Sequence, residues 1–149
     1  MNRLYVLVGL PASGKSTYAK EVLSKDAEIL SSDAIRKELL GSEENQENNA
    51  LVFETLYNRA RNLLKDGKNV AIDATCINKF ERKRVLSNFT DLQIERIVIF
   101  IDTPVEICYE RDEKRSRTVG REVIDKYVNK FEYPTLDEGF DKIEVVKGI

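Results

Sequence analysis

Nine consecutive residues, Gly9-Leu10-Pro11-Ala12-Ser13-Gly14-Lys15-Ser16-Thr17, match G-x-x-x-x-G-K-[ST] at every fixed position. The residue types define a chemistry. Glycines let successive backbone N–H groups turn inward around an oxyanion, where a β-carbon would obstruct them. A lysine at the position of Lys15 reaches the β- and γ-phosphates of a nucleoside triphosphate, and a hydroxyl at the position of Ser16 ligates Mg²⁺. The expected contacts with the nucleotide (ATP or another NTP) are therefore Gly9, Pro11, Ala12, Ser13, Gly14, Lys15, Ser16 and Thr17, with Ser16 as the metal ligand.

Three carboxylates stand just after apolar runs. Ser31-Ser32-Asp33-Ala34-Ile35-Arg36 follows the second run, Asp73-Ala74-Thr75 the third and Asp102-Thr103-Pro104 the fourth. With no histidine in the chain, a proton acceptor has to be sought among carboxylates. Asp33 is the candidate general base, and Arg36, one helical turn on, is placed to hold it ionised and to contact a phosphate. Asp73 ends the run Val-Ala-Ile-Asp but is followed by Ala74, where a motor ATPase would carry a water-activating glutamate. It is expected to orient a Mg²⁺-bound water, the acceptor or Arg36. Asp102 precedes Thr103-Pro104-Val105-Glu106, which reads as a capping box with Thr103 as cap, so Asp102 is expected to be structural. Asn78-Lys79-Phe80-Glu81 imitates the guanine-reading N-K-x-D but has Glu in the last place, and Asn78 reads as a helix cap. From Arg111 to Arg121 the chain holds basic residues at 111, 114, 115, 117 and 121, with Ser116, Thr118 and Gly120 between them. A charge run is usually a solvated face, but this one follows the fourth strand of a chain with a phosphate loop, where it resembles the arginine-bearing lid of small P-loop kinases; that likeness implies a mobile lid, roughly residues 112–121, whose arginines neutralise a transferring phosphoryl group. On the lid reading Arg115 is the expected catalytic arginine and a nucleotide contact, with Arg117 as a further expected contact and Arg121 as the alternative to it.

The elements that must position these groups alternate. Strands are expected at Leu4–Val8, Glu28–Leu30, Val70–Ile72, Ile97–Ile101 and Ile143–Val146. Helices are expected at Ser16–Lys25, at Ala34–Leu40, near Gln46–Lys65, after Pro104 and at Glu122–Phe131. Phe53, Leu56, Tyr57, Ala60, Leu63 and Leu64 share one face of the long helix, and Ile124, Tyr127, Val128 and Phe131 one face of the last. Asp66-Gly67 ends the long helix with a glycine suited to a left-handed cap. Such alternation predicts an α/β domain with a parallel sheet covered on both faces and ligands at the carboxyl ends of its strands.

The 149 residues make one domain, with no repeat and no linker, and the 24 basic and 26 acidic residues leave a net charge of −2. Without a general basic excess, any contact with nucleic acid has to be local. The longest apolar runs are strand-sized, which excludes a membrane helix. Met1-Asn2-Arg3 leads straight into the first strand without the make-up of a signal peptide, and Cys76 and Cys108 read as reduced packing residues, so a cytoplasmic protein is expected.

Taken together, Gly9–Ser16, Asp33-Ala34-Ile35-Arg36, Asp73-Ala74-Thr75 and Arg111–Arg115, in this order and at these intervals, resemble the P-loop polynucleotide 5′-hydroxyl kinase family, which includes phage polynucleotide kinase and the kinase module of bacterial RNA end-repair enzymes. Ser31-Ser32-Asp33, the D-A-T triplet and Glu138-Gly139-Phe140 resemble the bacterial members in particular. The resemblance spans essentially the whole chain and implies a three-layer P-loop kinase fold of about five parallel strands with an arginine-bearing lid. It also implies transfer of the γ-phosphate of ATP, with Mg²⁺, to the 5′-hydroxyl end of RNA or DNA. Asp33 would take the proton, Arg36 would bind the acceptor's phosphate, Lys15 and Arg115 would stabilise the transferred group, and Asp73 would support the acceptor or metal site. Members of that family usually carry the kinase beside a phosphatase, ligase or phosphohydrolase domain. None is visible in this sequence, so an end-healing or ligase partner is expected to act in trans. Two other functions compete: a kinase of a small hydroxylated acceptor such as a nucleoside, sugar or antibiotic, and a nucleotide-dependent switch or ATPase without an acceptor. The second is disfavoured by the missing glutamate and the missing N-K-x-D.

Overall fold

The computed structural model describes residues 1–43, 45, 47–116 and 118–147. Among these residues five strands form one sheet: β1 (Arg3–Val8), β2 (Glu28–Ser31), β3 (Val70–Asp73), β4 (Glu95–Asp102) and β5 (Lys142–Lys147), in the order β2-β3-β1-β4-β5. All four pairings are parallel. The helices are α1 (Lys15–Glu21), α2 (Ser32–Leu40), α3 (Asn49–Lys65), α4 (Lys79–Leu86), α5 (Val105–Glu113) and α6 (Arg121–Lys130), with short 3₁₀ turns at Leu23–Lys25 and Leu136–Glu138. This is the expected layered α/β architecture.

Burial on both faces explains why β1 reads as an unbroken apolar run. Leu4, Val6 and Val8 pack with Val52, Leu56, Ala60 and Leu64 of α3 and Val85 of α4, whereas Tyr5 and Leu7 pack on the other side with Ala19 of α1. The strand expected at Glu28–Leu30 extends by one residue, and β4 is longer at both ends. The helix expected at Ser16–Lys25 begins at Lys15 and gives way to the 3₁₀ turn before Lys25. Gln46, the expected start of the long helix, lies outside the described residues; α3 begins at Asn49, and the Asn48 side chain caps it by accepting from Leu51 N–H. Gly67, with φ +81°, ends α3 in the left-handed conformation, and its N–H donates to Leu64 O.

Two local expectations are corrected. Thr103 does not cap α5. The preceding position is Pro104, with no side-chain cap bond, because the Thr103 hydroxyl donates instead to Ser13 O at 2.7 Å. On α6, Ile124 is fully buried but Val128 is 41% exposed, so the apolar face of that helix is narrower than its sequence suggests.

One ion pair fastens the far end of the chain. Arg82 of α4 has no exposed surface, and its Nε donates to Glu138 Oε1 at 2.7 Å. Its remaining donors reach Cys76 O and Glu132 O. A buried guanidinium is tolerated only when matched in this way.

Candidate active site

The sheet order reverses direction at β1: the chain leaves β1 for β2 on one side and later crosses to β4 on the other. Ligands in parallel sheets collect at the carboxyl ends of the strands at such a point. A cleft of about 930 Å³ opens there, lined by the loop after β1, the starts of α2 and α3, the loop after β3, and parts of α4, α5 and α6.

The glycine-rich loop forms its floor. Gly9, Leu10, Pro11, Ala12, Gly14, Lys15, Ser16 and Thr17 line the cleft. Ala12 (φ 62°) and Gly14 (φ 96°) take left-handed backbone angles, which bends the loop into a concave turn. A β-carbon on Gly9 would come within 2.7 Å of Ser13 Oγ and 3.4 Å of Ile101, so this position is closed to side chains. Ser13 is the exception among the loop residues. It is 1% exposed beneath the loop, its hydroxyl has no protein partner and its N–H donates to Leu10 O at 3.1 Å, so this expected nucleotide contact does not line the cleft.

Asp73 joins the loop to the sheet. Ser16 Oγ donates to Asp73 Oδ2 at 2.8 Å, and Lys15 Nζ donates to Ala74 O at 3.1 Å while lying 3.5 Å from Asp73 Oδ1. Of the roles open to Asp73 in the sequence, this placement favours the metal side. A hydroxyl and a carboxylate side by side are hard oxygen donors of the kind Mg²⁺ takes. Among the described residues no group of three or more acidic, Cys or His side chains could hold a metal by itself. The residues therefore fit a cation whose other ligands are phosphate oxygens and water, as is usual for Mg²⁺. Asp102 takes no part and lies 3.8 Å from Lys147 Nζ.

Across the cleft stands α2. Ser31, not Asp33, caps this helix by accepting from Ala34 N–H, so the Asp33 carboxylate is not taken up by the helix end and keeps 53% side-chain exposure. Register explains the convergence, because Ser31 pairs with Asp73 across β2 and β3. Arg36 is nearly buried. Its Nη1 donates to Asp33 Oδ1 at 2.8 Å, its Nη2 donates to Asn49 Oδ1 at 3.0 Å, and its Nε is buried with no protein partner. Asn49 was not singled out in the sequence. It opens α3, and only the fold brings it to Arg36.

Phe53 and Tyr57 of α3 also line the cleft, with Val85 and Arg84 of α4 and Val123 and Tyr127 of α6. In the sequence Phe53 and Tyr57 look like part of the core face. They sit at its edge, 6.0 Å apart between ring centroids, and the core row proper is Val52, Leu56, Ala60 and Leu64. Burial pushes the Tyr57 hydroxyl above its ordinary range, so it stays protonated at neutral pH.

The basic run divides into distinct parts. Arg111 and Arg115 line the cleft. Arg111 Nη1 donates to Ser13 O at 3.1 Å, and Arg115 lies 3.8 Å from Asp112. Asp112, 2% exposed, accepts from the N–H groups of Val119 and Gly120 at 3.0 and 2.9 Å, which closes the loop upon itself. Arg121 turns elsewhere: its guanidinium lies 4.1 Å over the ring of Tyr109, which in turn donates to Asp125. Arg117 lies outside the described residues. Because a planar fork bridges two phosphate oxygens where an ammonium offers one point charge, Arg115→Lys should lose nearly as much transfer activity as Arg115→Ala. Lys114→Ala and Lys114→Arg, at the neighbouring position, should matter little. Steady-state kinetics on the four variants checks this, and mild, equal effects at both positions would reduce the segment to a solvated charge run.

Asn78, in the N-K-F-E run, caps α4 by accepting from Glu81 N–H, which agrees with its expected structural part. Both cysteines are buried and unpaired. Complete burial pushes the Cys76 thiol up to about 12. The folded chain should therefore resist iodoacetamide at pH 8 until denatured, as mass spectrometry of the alkylated protein would show. A folded state that holds this proton more tightly than the unfolded one loses that share of its stability as pH rises from about 9 towards 12. Rapid labelling of native Cys76 would mean that the segment after β3 opens freely.

Among the described residues no helix is long and apolar enough to cross a membrane. The profile of a family described as "AAA domain", AAA_33, matches residues 4–134. A curated relative, the L-seryl-tRNA(Sec) kinase of Methanococcus maripaludis, is 27% identical over 150 residues, covering 93% of this chain and 56% of its own length. Among solved structures, the Pnkp1/Rnl/Hen1 RNA repair complex contains a chain that superposes with a TM-score of 0.79 at 24% identity, over 94% of this chain and 46% of that one. A sugar kinase of Janibacter sp. HTCC2649 superposes with a TM-score of 0.70 at 18% identity, over 99% of this chain and 86% of that one. These structures share the P-loop kinase-like fold. The chain spans about half the length of the seryl-tRNA kinase and of the repair-complex chain.

Proposed function

The chain belongs to the AAA_33 domain family, and from that premise we propose that it is an ATP-dependent phosphotransferase acting on a hydroxyl, specifically a kinase of 5′-hydroxyl ends of RNA or DNA. One observation carries this reading. In a single cleft a phosphate loop with Lys15 and Ser16 faces an exposed carboxylate, Asp33, that a nearly buried arginine holds at 2.8 Å. The first half suits a triphosphate. The second suits an acceptor that brings both a hydroxyl to deprotonate and an anion to grip.

The residues divide the work. The loop amides and Lys15 cradle and neutralise the donor phosphates. Ser16 and Asp73 would hold Mg²⁺, which when bound neutralises charge on the β- and γ-oxygens. Asp33 accepts the proton of the attacking hydroxyl at a carboxylate oxygen. Arg36, aligned by Asn49 at 3.0 Å, orients that carboxylate and offers the acceptor's phosphate a donor. Arg115 covers the transferring group from the lid side, and the lid excludes water. Two similarities support an acceptor carried on nucleic acid: one relative is by name a kinase of seryl-tRNA, and one structural neighbour is part of an RNA repair complex. An end-healing or ligase partner in trans belongs to the same proposal.

The test is transfer from ATP to a nucleoside, its 3′-monophosphate, a short 5′-hydroxyl oligonucleotide and a panel of sugars, at two ionic strengths. The oligonucleotide should be best and the nucleoside poor, and the 3′-monophosphate should recover much of the activity because it restores the second handle. The net charge of −2 provides no broad basic track, so salt dependence should be shallow, reflecting few phosphate contacts. A nucleoside or sugar that matches the oligonucleotide would replace this reading with a small-molecule kinase.

A further inference from the structure

We propose that Thr103 and Arg111 are positioning residues that set the orientation of the Ser13–Gly14 peptide, and through it the donor-phosphate cradle. This rests on the phosphate-loop reading above and adds two residues outside the loop to it. The Ser13 carbonyl receives two bonds from beyond β1: the Thr103 hydroxyl at 2.7 Å, from the residue after β4, and Arg111 Nη1 at 3.1 Å, from α5. Peptide bonds throughout the described residues are trans. In a trans peptide the C=O and the next N–H point in opposite directions. A carbonyl drawn towards β4 and α5 therefore turns the Gly14 N–H the other way, towards the concave side of the loop.

Local geometry shows why such a clamp is needed. Ala12 sits at φ 62°, a conformation that a non-glycine residue keeps in a loop only where its surroundings impose it, and Gly14 at φ 96° is free to turn either way unless something fixes it. Ser13 supplies no such restraint from its own side chain, since its buried hydroxyl is unpartnered. Thr103 is 8% exposed, buried deeply enough for its single hydroxyl bond to be well directed. Arg111 is four residues before Arg115, so the helix that roots the lid is fastened to the floor of the donor site.

The test uses the whole chain, with inorganic tripolyphosphate and ATP as calorimetric probes. Thr103→Val keeps the shape and removes the donor. It should weaken both probes by about three- to tenfold, the scale of one directed hydrogen bond, and Thr103→Ser should restore both. The KM for ATP should rise in parallel while the KM for the acceptor and the melting temperature stay near those of the parent. Thr103→Val with parental tripolyphosphate affinity would overturn the proposal, as would failure of Thr103→Ser to restore it. If Thr103→Val does not fold, Arg111→Met carries the same comparison, and parental affinity there has the same meaning. Lys15→Ala separates the two levels: if it also binds tripolyphosphate normally, the phosphate-loop reading fails, whereas if it alone loses binding, only the clamp does.

Discussion

Replacing Lys15 with alanine should abolish phosphoryl transfer, by about a thousandfold or more, while the fold survives. The size follows from the reaction. Phosphoryl transfer leaves the protein little covalent work, so rate comes from positioning and from charge already in place, and one preorganised donor is worth about 10²–10³. Survival of the fold follows from location. The Lys15 side chain is 18% exposed at the start of α1, and its partners are a backbone carbonyl and Asp73, which keeps its bond from Ser16. Circular dichroism should show an unchanged spectrum and a melting point within a few degrees of the parent, alongside a blank kinase assay. An active Lys15→Ala enzyme would remove the basis for assigning the loop to a triphosphate.

Asp33→Asn should lower turnover by about a hundredfold or more, within the range a positioned general base supplies, and leave ATP affinity nearly intact. The two effects separate because Asp33 lies on α2, away from the loop. Asparagine retains an oxygen for Arg36 Nη1, so the 2.8 Å contact need not be lost. The helix keeps its cap, since Ser31 supplies it. Only the capacity to accept a proton disappears. Single-turnover kinetics with nucleotide binding measured on the same sample would show this, and a collapse of ATP affinity at normal turnover would make Asp33 a metal-site or structural residue instead.

The reach of the sequence was uneven, and particular residues show why. The strands were legible because burial on both faces leaves a continuous apolar signature, as in β1. The loop was legible because its chemistry demands fixed types at fixed spacing. Thr103 reads as a cap because T-P-x-E satisfies the local rule, whereas the carbonyl its hydroxyl bonds belongs to Ser13, far away in sequence. Asn49 carries no local mark, and Tyr57 and Tyr127 read only as members of an apolar helix face. All three line the cleft, which the local pattern does not show. Arg121 lay in the same basic run as Arg115, and only the neighbouring ring of Tyr109 shows that it points elsewhere. Local rules reveal what a segment is able to do, while long-range partners decide which of those options is taken.

Arg82 gives this a practical edge. It sits in a run, Lys-Phe-Glu-Arg-Lys-Arg, that any hydropathy scale would assign to the surface, and it is fully enclosed. The carboxylate that neutralises it is Glu138, beyond the residues 4–134 by which the family is recognised. A chain cut at residue 134 would keep the glycine-rich loop, Asp33, Asp73 and the basic run, yet it would lose the carboxylate that balances Arg82, and removing one partner of a buried pair costs about 3–5 kcal/mol. That is a large share of the stability of a domain this size. The stretch by which the family is recognised thus leaves out a residue on which the stability of the fold depends.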